Sequence, residues 1–215
     1  DFNDLLNFNG VKIKNFYEIL EAGCCANNIE AVKKITDFIL LNDLTPDFTS
    51  PFIEAAIEKS DQICKYFLNK KVFININAIA TNSKVGNLSD EIILALINMT
   101  DPSSRSYIYS CFLNNFIKFG KKNIVDLLLK SVPINSDSLF AAIKSNDIEI
   151  VNRVLYFNSK PSFINRISPF GTALNIAAIK GNLEIFNRLL LIPGIDPNLY
   201  YTNNITPLIS AISRF

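Results

Sequence analysis

Apolar residues recur with helical spacing along most of this chain, in short segments that come in pairs. Each segment is about 8 to 10 residues long. The two segments of a pair are separated by a short polar turn such as Ser60-Asp61, Asn146-Asp147 or Gly181-Asn182. Isolated helices of this length are marginal in water, so each pair must be stabilised by the pairs beside it. The pattern therefore predicts an all-α solenoid of stacked helix-turn-helix repeats.

The sequence also repeats itself, most clearly towards its C-terminal end. Residues 139–155 align with residues 174–190 at an offset of 35, and residues 206–208 align with residues 172–174 at an offset of 34. Fainter copies occur at residues 20–35, 51–68 and 112–129. We therefore expect one solenoid over residues 1–215, with about six to seven units, a degenerate unit at 72–108 and an incomplete last unit.

Two motifs in these repeats resemble the signature of the ankyrin-repeat family. Residues 206–211, TPLISA, match the family's Thr-Pro-Leu-His-x-Ala except that Ile209 replaces His, and residues 172–178, TALNIAA, open a unit that matches throughout. Asp196-Pro197-Asn198 is similar to the Asp-Val-Asn that opens the family's finger loop. The chain thus looks like a divergent ankyrin-repeat protein, and the resemblance implies two helices per unit joined by short β-turn fingers.

The ankyrin-like motif residues have structural roles that follow from their chemistry. A Thr hydroxyl can cap the first helix, Pro fits the first helical turn, and Gly181 or Asn146 can adopt the left-handed conformation that ends it. The step from Phe116 to Ala142 is only 26 residues. Residues 131–138 are therefore expected to form a tight link, so part of the array lacks binding fingers.

The resemblance implies a module that binds another protein through finger tips and the concave face of the first helices. The candidate contact residues by position are Arg166, Ser168, Pro169, Phe170, Asn175, Ile179, Lys180, Leu199, Tyr200, Tyr201 and Asn203. Aromatic residues and Arg are enriched at binding hot spots, which favours Phe170, Tyr200, Tyr201 and Arg166. The alternative is that Phe170 and one tyrosine simply pack between adjacent fingers.

The composition argues against catalysis. The chain has 49% apolar residues and no histidine, which removes the commonest general base, nucleophile activator and zinc ligand. We therefore expect no enzyme activity, no metal, no cofactor and no small-molecule substrate. A net charge of +1 provides no overall field for nucleic acid or acidic membranes, and no apolar run is long enough to span a bilayer.

The cysteines and one lysine cluster have simple structural interpretations. The four cysteines are Cys24, Cys25, Cys64 and Cys111. Because they lack paired spacing, we interpret them as small buried residues in a reducing compartment, which predicts a cytoplasmic protein. Lys121 and Lys122, close to Lys118, are interpreted as the water-exposed start of an outer helix and not as a basic patch.

The sequence therefore predicts a non-catalytic protein-protein interaction module. One alternative is a structural component built permanently into a larger assembly, such as the cytoskeleton. Another is an accessory domain of an enzyme whose catalytic part lies elsewhere. We expect the chain to belong to a longer protein, because its last residues fall inside the first helix of a new unit and solenoids need polar capping repeats.

Overall fold

A computed structural model describes residues 13–42 and 45–213, with side chains from residue 16 onward. The incomplete last unit expected from the sequence extends to residues 214–215, which lie outside the described residues. Contacts group the chain into two compact units, residues 1–101 and residues 102–215. The described residues are mainly helical and contain no strand, so the all-α solenoid prediction is confirmed.

The first unit contains six described α-helices in three successive pairs. Their bounds are α1 Ile13–Cys25, α2 Ile29–Asn42, α3 Thr49–Ile57, α4 Asp61–Lys70, α5 Ile76–Thr81 and α6 Asp90–Asn98. A 3₁₀ turn, Val85–Asn87, lies between α5 and α6. The third pair falls within the segment where the repeat pattern is degenerate, and its first helix, α5, has only 6 residues.

The second unit continues the same arrangement with better matches to the repeat. Its helices are α7 Arg105–Lys118, α8 Lys122–Ser131, α9 Ser136–Ser145, α10 Ile148–Phe157, α11 Pro161–Ile164, α12 Ala173–Lys180, α13 Leu183–Leu190 and α14 Pro207–Ile212. A 3₁₀ turn, Thr202–Asn204, precedes α14. The first helices α7, α9, α12 and α14 pack side by side in that order.

Aromatic rings fill the core of the first unit. Phe48, Phe52 and Phe67 are fully buried, and the ring centroids of Phe48 and Phe67 lie 5.7 Å apart. Tyr17 packs on Phe48 at 6.1 Å, and Phe16 packs on Phe38 at 4.3 Å.

The second unit buries aliphatic and small residues between its helices. Ala142 and Ala177 have no exposed surface, so neighbouring first helices approach closely. The long helix α7 buries Phe112 and Phe116, whose rings stack at 5.4 Å. Tyr107, near the start of this helix, is exposed.

The local roles assigned to the ankyrin-like motif residues are also confirmed. Thr172 and Asn175 form a reciprocal capping box at the start of α12, and Thr206 caps α14 with Pro207 at its first position. Asn146 (φ 63°) and Gly181 (φ 67°) adopt the left-handed conformation that ends α9 and α12. Only residues 132–135 separate α8 from α9, which is too short for a finger.

Candidate functional site

The first finger is a tight turn that precedes α12. Ser168 and Gly171 form an isolated antiparallel bridge, with both backbone hydrogen bonds at 3.0 Å. Gly171 has a φ of +101°, and a Cβ at this position would lie 2.7 Å from the Cβ of Asn175. Glycine is therefore required here, and the turn holds Pro169 and Phe170 out at its tip, where both are exposed.

The second finger precedes α14 and is closed by a weaker set of contacts. The Tyr201 N–H donates to the Ile205 carbonyl at 3.3 Å, and Asn203 and Asn204 both have left-handed backbone conformations. Asparagine tolerates this conformation better than most residues do. The turn leaves Tyr200 56% exposed at the surface and Tyr201 half-buried against the first finger.

A groove lies between the fingers and the ends of the first helices α9 and α12. It has a volume of about 370 Å³. We call it the finger groove, and its lining residues are Lys144, Pro169, Phe170, Ile176, Ile179, Lys180 and Tyr201. A smaller cavity of about 180 Å³ adjoins it and shares Ile179 and Tyr201. Together they form a mainly apolar trough, in which Lys144 and Lys180 are the charged lining residues.

Two lysines supply the charge of the finger groove. The Lys144 ammonium lies 4.0 Å from the centroid of the Phe170 ring, which is a cation–π contact. Lys180 is the last residue of α12 and is exposed. Neither lysine has a salt-bridge partner among the residues that the structure describes, and no acidic side chain lines the groove.

A second opening of about 380 Å³ lies between α12, α13 and α14. Its walls are mainly apolar, with contributions from Leu183, Phe186 and Ala211. Its polar side chain, Asn182, is already engaged in capping α13 by accepting a hydrogen bond from the Ile185 N–H. Because specific sites combine apolar walls with polar groups that fix orientation, the finger groove is the stronger candidate.

Comparison with solved structures identifies the fold. Among 70 matching chains is the crystal structure of the ankyrin repeat domain of Bcl-3, described as a unique member of the IkappaB protein family. The two chains are 17% identical, the match covers 90% of this chain and 93% of that one, and the TM-score is 0.56. The chain has the ankyrin-repeat fold.

Other comparisons add little to this assignment. A structure of the Bd0816 predatory endopeptidase from Bdellovibrio bacteriovorus in complex with immunity protein Bd3460 matches at 19% identity, covering 91% of each chain. Its TM-score of 0.44 is too low to support any argument. No model of a known protein family and no curated protein sequence matches the chain.

The finger groove brings together five of the eleven candidate residues predicted from the ankyrin-like pattern. Pro169, Phe170, Ile179, Lys180 and Tyr201 all line it. The other exposed or half-buried candidates, which do not line it, are Arg166, Ser168, Leu199, Tyr200 and Asn203. Ser168 instead shapes the first finger, where its Oγ donates to the Gly171 carbonyl at 2.7 Å and accepts from the Phe170 N–H.

The expected position of Asn175 is wrong. We expected it on the exposed side of the first helix, but Asn175 has no exposed surface. Its Oδ1 accepts from the N–H and Oγ1 of Thr172, and its Nδ2 donates to Ser210 Oγ at 2.9 Å and to the Ile205 carbonyl. It therefore joins one ankyrin unit to the next and cannot touch a partner.

Sequence reasoning missed two residues of the groove, Lys144 and Ile176. The internal alignment contains the signal for Lys144, because at the offset of 35 residues it occupies the position of Ile179, which was already a candidate. Ile176 is 3% exposed, and a candidate set chosen by exposure leaves out a residue that forms the floor of a groove.

The charges of the two units differ, although the whole chain is almost neutral. Residues 1–101 contain 9 Lys against 14 Asp and Glu, a net charge of −5, whereas residues 102–215 contain 12 Lys and Arg against 6 Asp and Glu, a net charge of +6. The expectation that the chain has no overall field for nucleic acid or acidic membranes concerned its total charge, and the two units taken separately carry net charges of opposite sign.

The lysines near the start of α8 lie on different helices. Lys122 opens α8, as expected for an outer helix, and pairs with Glu149 at 2.5 Å and Asp147 at 3.3 Å. These carboxylates raise the pKa of Lys122, the bond to Glu149 being the main cause. Lys118 instead ends the first helix α7, so it lies on a different element from the outer-helix start.

The cysteines are free, and two of them, Cys25 and Cys111, are less buried than predicted. Cys24 and Cys64 are buried as expected, and burial raises the pKa of each thiol to about 12. Cys111 is half-buried, whereas Cys25 is exposed and lies 3.8 Å from a carboxylate oxygen of Glu54. Loss of water contacts and this carboxylate raise the pKa of the Cys25 thiol, so it is a poor nucleophile.

The described residues contain neither a cluster of metal ligands nor a membrane-spanning helix. Within residues 13–42 and 45–213, no three Cys, Asp or Glu side chains come together in a way that could hold a metal ion. Over the same ranges, each helix is too short or too polar to cross a membrane.

Proposed function

We propose that this chain is a non-catalytic protein-interaction module that binds its partner at the finger groove, through the finger loops and the concave face of the first helices. The observation that carries the proposal is the convergence of Phe170, Ile179, Lys180 and Tyr201 with Lys144 around one open groove. These residues come from two fingers and two helices, and an exposed apolar surface with charged edges is typical of a protein-binding site.

The side chains of the groove support binding more than chemistry. Phe170 is 62% exposed and Ile179 is 46% exposed, so a partner could bury a substantial apolar area on both. The described lining contains no carboxylate, thiol or imidazole that could act as base or nucleophile. Arg166, Tyr200 and Asn203 at the finger tips are proposed as contacts at the edge of the interface.

The proposal can be tested by site-specific photo-crosslinking with the full chain. We would replace Phe170 by benzoylphenylalanine, which preserves an aromatic ring, and irradiate the protein in an extract of its native cells. We expect a discrete protein adduct that an excess of unlabelled wild-type chain suppresses. A competitor carrying Phe170→Ala and Ile179→Asp should fail to suppress it, because both changes remove the apolar surface of the groove.

The matched control places the same crosslinker at Tyr156. This residue is 86% exposed on α10 and does not line the finger groove, so it reports on random encounters with the outer-helix surface. Equal adducts from positions 156 and 170, or an adduct at 170 that the variant competitor suppresses as well as wild type, would show that the groove is not the binding site.

A further inference from the structure

We propose that the partner element in the finger groove is an extended acidic peptide segment, which places one apolar side chain between Phe170 and Ile179 and its carboxylates near Lys144 and Lys180. This inference rests on the proposed function and names the chemistry of the partner. It commits to a segment of another protein, since a short extended segment can place single side chains into a narrow trough.

The first support is the unbalanced charge around the groove. The ammonium groups of Lys144 and Lys180 have no carboxylate partner among the described residues, whereas Lys122 and Arg153 on the outer helices of the same unit are paired with Glu149 and Asp126. Three of the six acidic side chains of this unit, Asp126, Asp147 and Glu149, are thus paired on the outer helices. A segment with carboxylates would complete the pairs that the finger groove lacks.

The second support is that the positive charge continues beyond the groove. Lys118 ends α7 and occupies the same repeat position as Lys144, two residues after the small-residue position of its unit. Since α7 packs beside α9, Lys118 extends the row of cations along the first helices. The net charge of +6 on residues 102–215 would also speed the association of an acidic segment.

The third support is the shape of the trough and its saturated backbone. The groove of about 370 Å³ and its neighbour of about 180 Å³ share Ile179 and Tyr201, which suits successive side chains of an extended chain. The backbone groups of Ser168 and Gly171 already bond to each other, so the first finger has no free edge there for an added strand. Recognition must therefore come from side chains.

A nucleic acid fits these features less well. Single-stranded nucleic acid binds through aromatic faces on which bases stack, together with cations that follow the phosphates. In the finger groove the Lys144 ammonium already covers one face of Phe170, at 4.0 Å from the ring centroid. The apolar surface of Ile176 and Ile179 beside it suits an aliphatic or aromatic side chain better than a base.

The test is a selection from a display library of random 12-residue peptides on the immobilised full chain. We expect enrichment of peptides in which at least two Asp or Glu flank an aliphatic or aromatic residue. Binding of the enriched peptides, measured by fluorescence anisotropy, should weaken about tenfold or more in a Lys144→Glu, Lys180→Glu double variant, because attraction becomes repulsion. It should also weaken as salt concentration rises.

The matched control is a Lys130→Glu, Lys160→Glu variant, which makes the same change in net charge at two exposed positions outside the groove. It should retain affinity within about twofold, because charges more than a Debye length from a peptide are largely screened at physiological salt. An equal loss in both double variants would mean that only the total charge matters and would overturn the assignment to the groove.

The remaining outcomes separate this inference from the proposed function. Enriched peptides that need Phe170 and Ile179 but are neutral or basic would overturn the acidic partner and leave the groove as a binding site. If the binding of no enriched peptide depends on those two residues, the peptide inference fails. The crosslinking experiment at position 170 then still tests the proposed function independently. Tighter binding of a 20-nucleotide DNA strand, lost on Lys144→Glu with Lys180→Glu, would also overturn the acidic peptide.

Discussion

The two units of this chain differ in how many of their helices begin with a side-chain cap. In the second unit, α7, α8 and α11 have no such cap. The other five helices are capped by side chains that accept hydrogen bonds from the first helical turn, namely Asn135, Asp147, Thr172, Asn182 and Thr206. In the first unit, α3, α4 and α6 have no such side-chain cap, and Asn28 and Asn75 cap α2 and α5. The same pairs of helices therefore form with and without polar caps.

The units also differ in the charge carried at matching repeat positions. Glu58 occupies the same repeat position as Lys180, three residues after the small residue of its repeat. Cys25 occupies the same repeat position as Lys144. The Cys25 thiol lies beside the Glu54 carboxylate, so this surface of the first unit is acidic where that of the second unit is basic. One repeat scaffold thus presents two opposite surfaces.

The comparison shows which part of the repeat the fold constrains. Aromatic packing around Phe48 in the first unit and the hydrogen bonds of Asn175 in the second both hold neighbouring helices together. What the units share is the spacing of buried positions, whereas the polar and charged positions between them vary. Stability is therefore expected to depend on different kinds of residue in the two units.

The largest effect should come from the aromatic core of the first unit. Phe48→Ala removes a fully buried ring that contacts Tyr17 and Phe67, and should cost about 3–5 kcal/mol of local stability through the cavity it leaves. Amide hydrogen exchange should accelerate most in α3 and α4. Phe73→Ala is the control, because its ring is 62% exposed. Similar rates of amide exchange in the two variants would contradict the claim that buried aromatic packing stabilises the first unit.

The next largest effect concerns the hydrogen bonds that join neighbouring repeats within the second unit. Asn175→Ala removes the acceptor of the buried Thr172 N–H and hydroxyl, together with the donor to Ser210 Oγ, and should cost about 2–3 kcal/mol, with faster exchange in α12 and α14. Asn152→Ala, which removes an exposed amide that accepts from Arg188, is the control and should change little. Equal losses of stability in the two variants would mean that the buried hydrogen bonds of Asn175 stabilise the fold no more than an exposed one does.

The smallest effect tests the caps directly, at the same position of two repeats. Asn182 starts α13 and Ser60 starts α4, but only Asn182 accepts a hydrogen bond from its helix. Asn182→Ala should cost about 1 kcal/mol, measured by urea unfolding. Ser60→Ala should change stability by less than about 0.5 kcal/mol, because the hydroxyl makes no cap. A larger loss for Ser60→Ala would remove the proposed difference between the units.

Much of the fold was predictable, and the reasons are local. Helix ends at Asn146, Gly181 and Thr172 follow from the conformations and hydrogen bonds that these residue types favour, so the repeat could be traced from sequence. The finger groove was only partly predictable. Loop position selects Phe170 and Tyr201, but not Lys144, which reaches the groove from the preceding repeat.

The sequence by itself determined the repeat, the helical pairs and the first finger, because these depend on spacing and on residues near one another in the chain. Only the tertiary structure decided that Asn175 is buried and that Lys144 lies over Phe170. Both depend on side chains from different repeats, about 26 to 35 residues apart, that meet only when the helices stack. The charged residues can be counted in the sequence, but only the division of the chain into two units shows that the net charges of the units are opposite in sign.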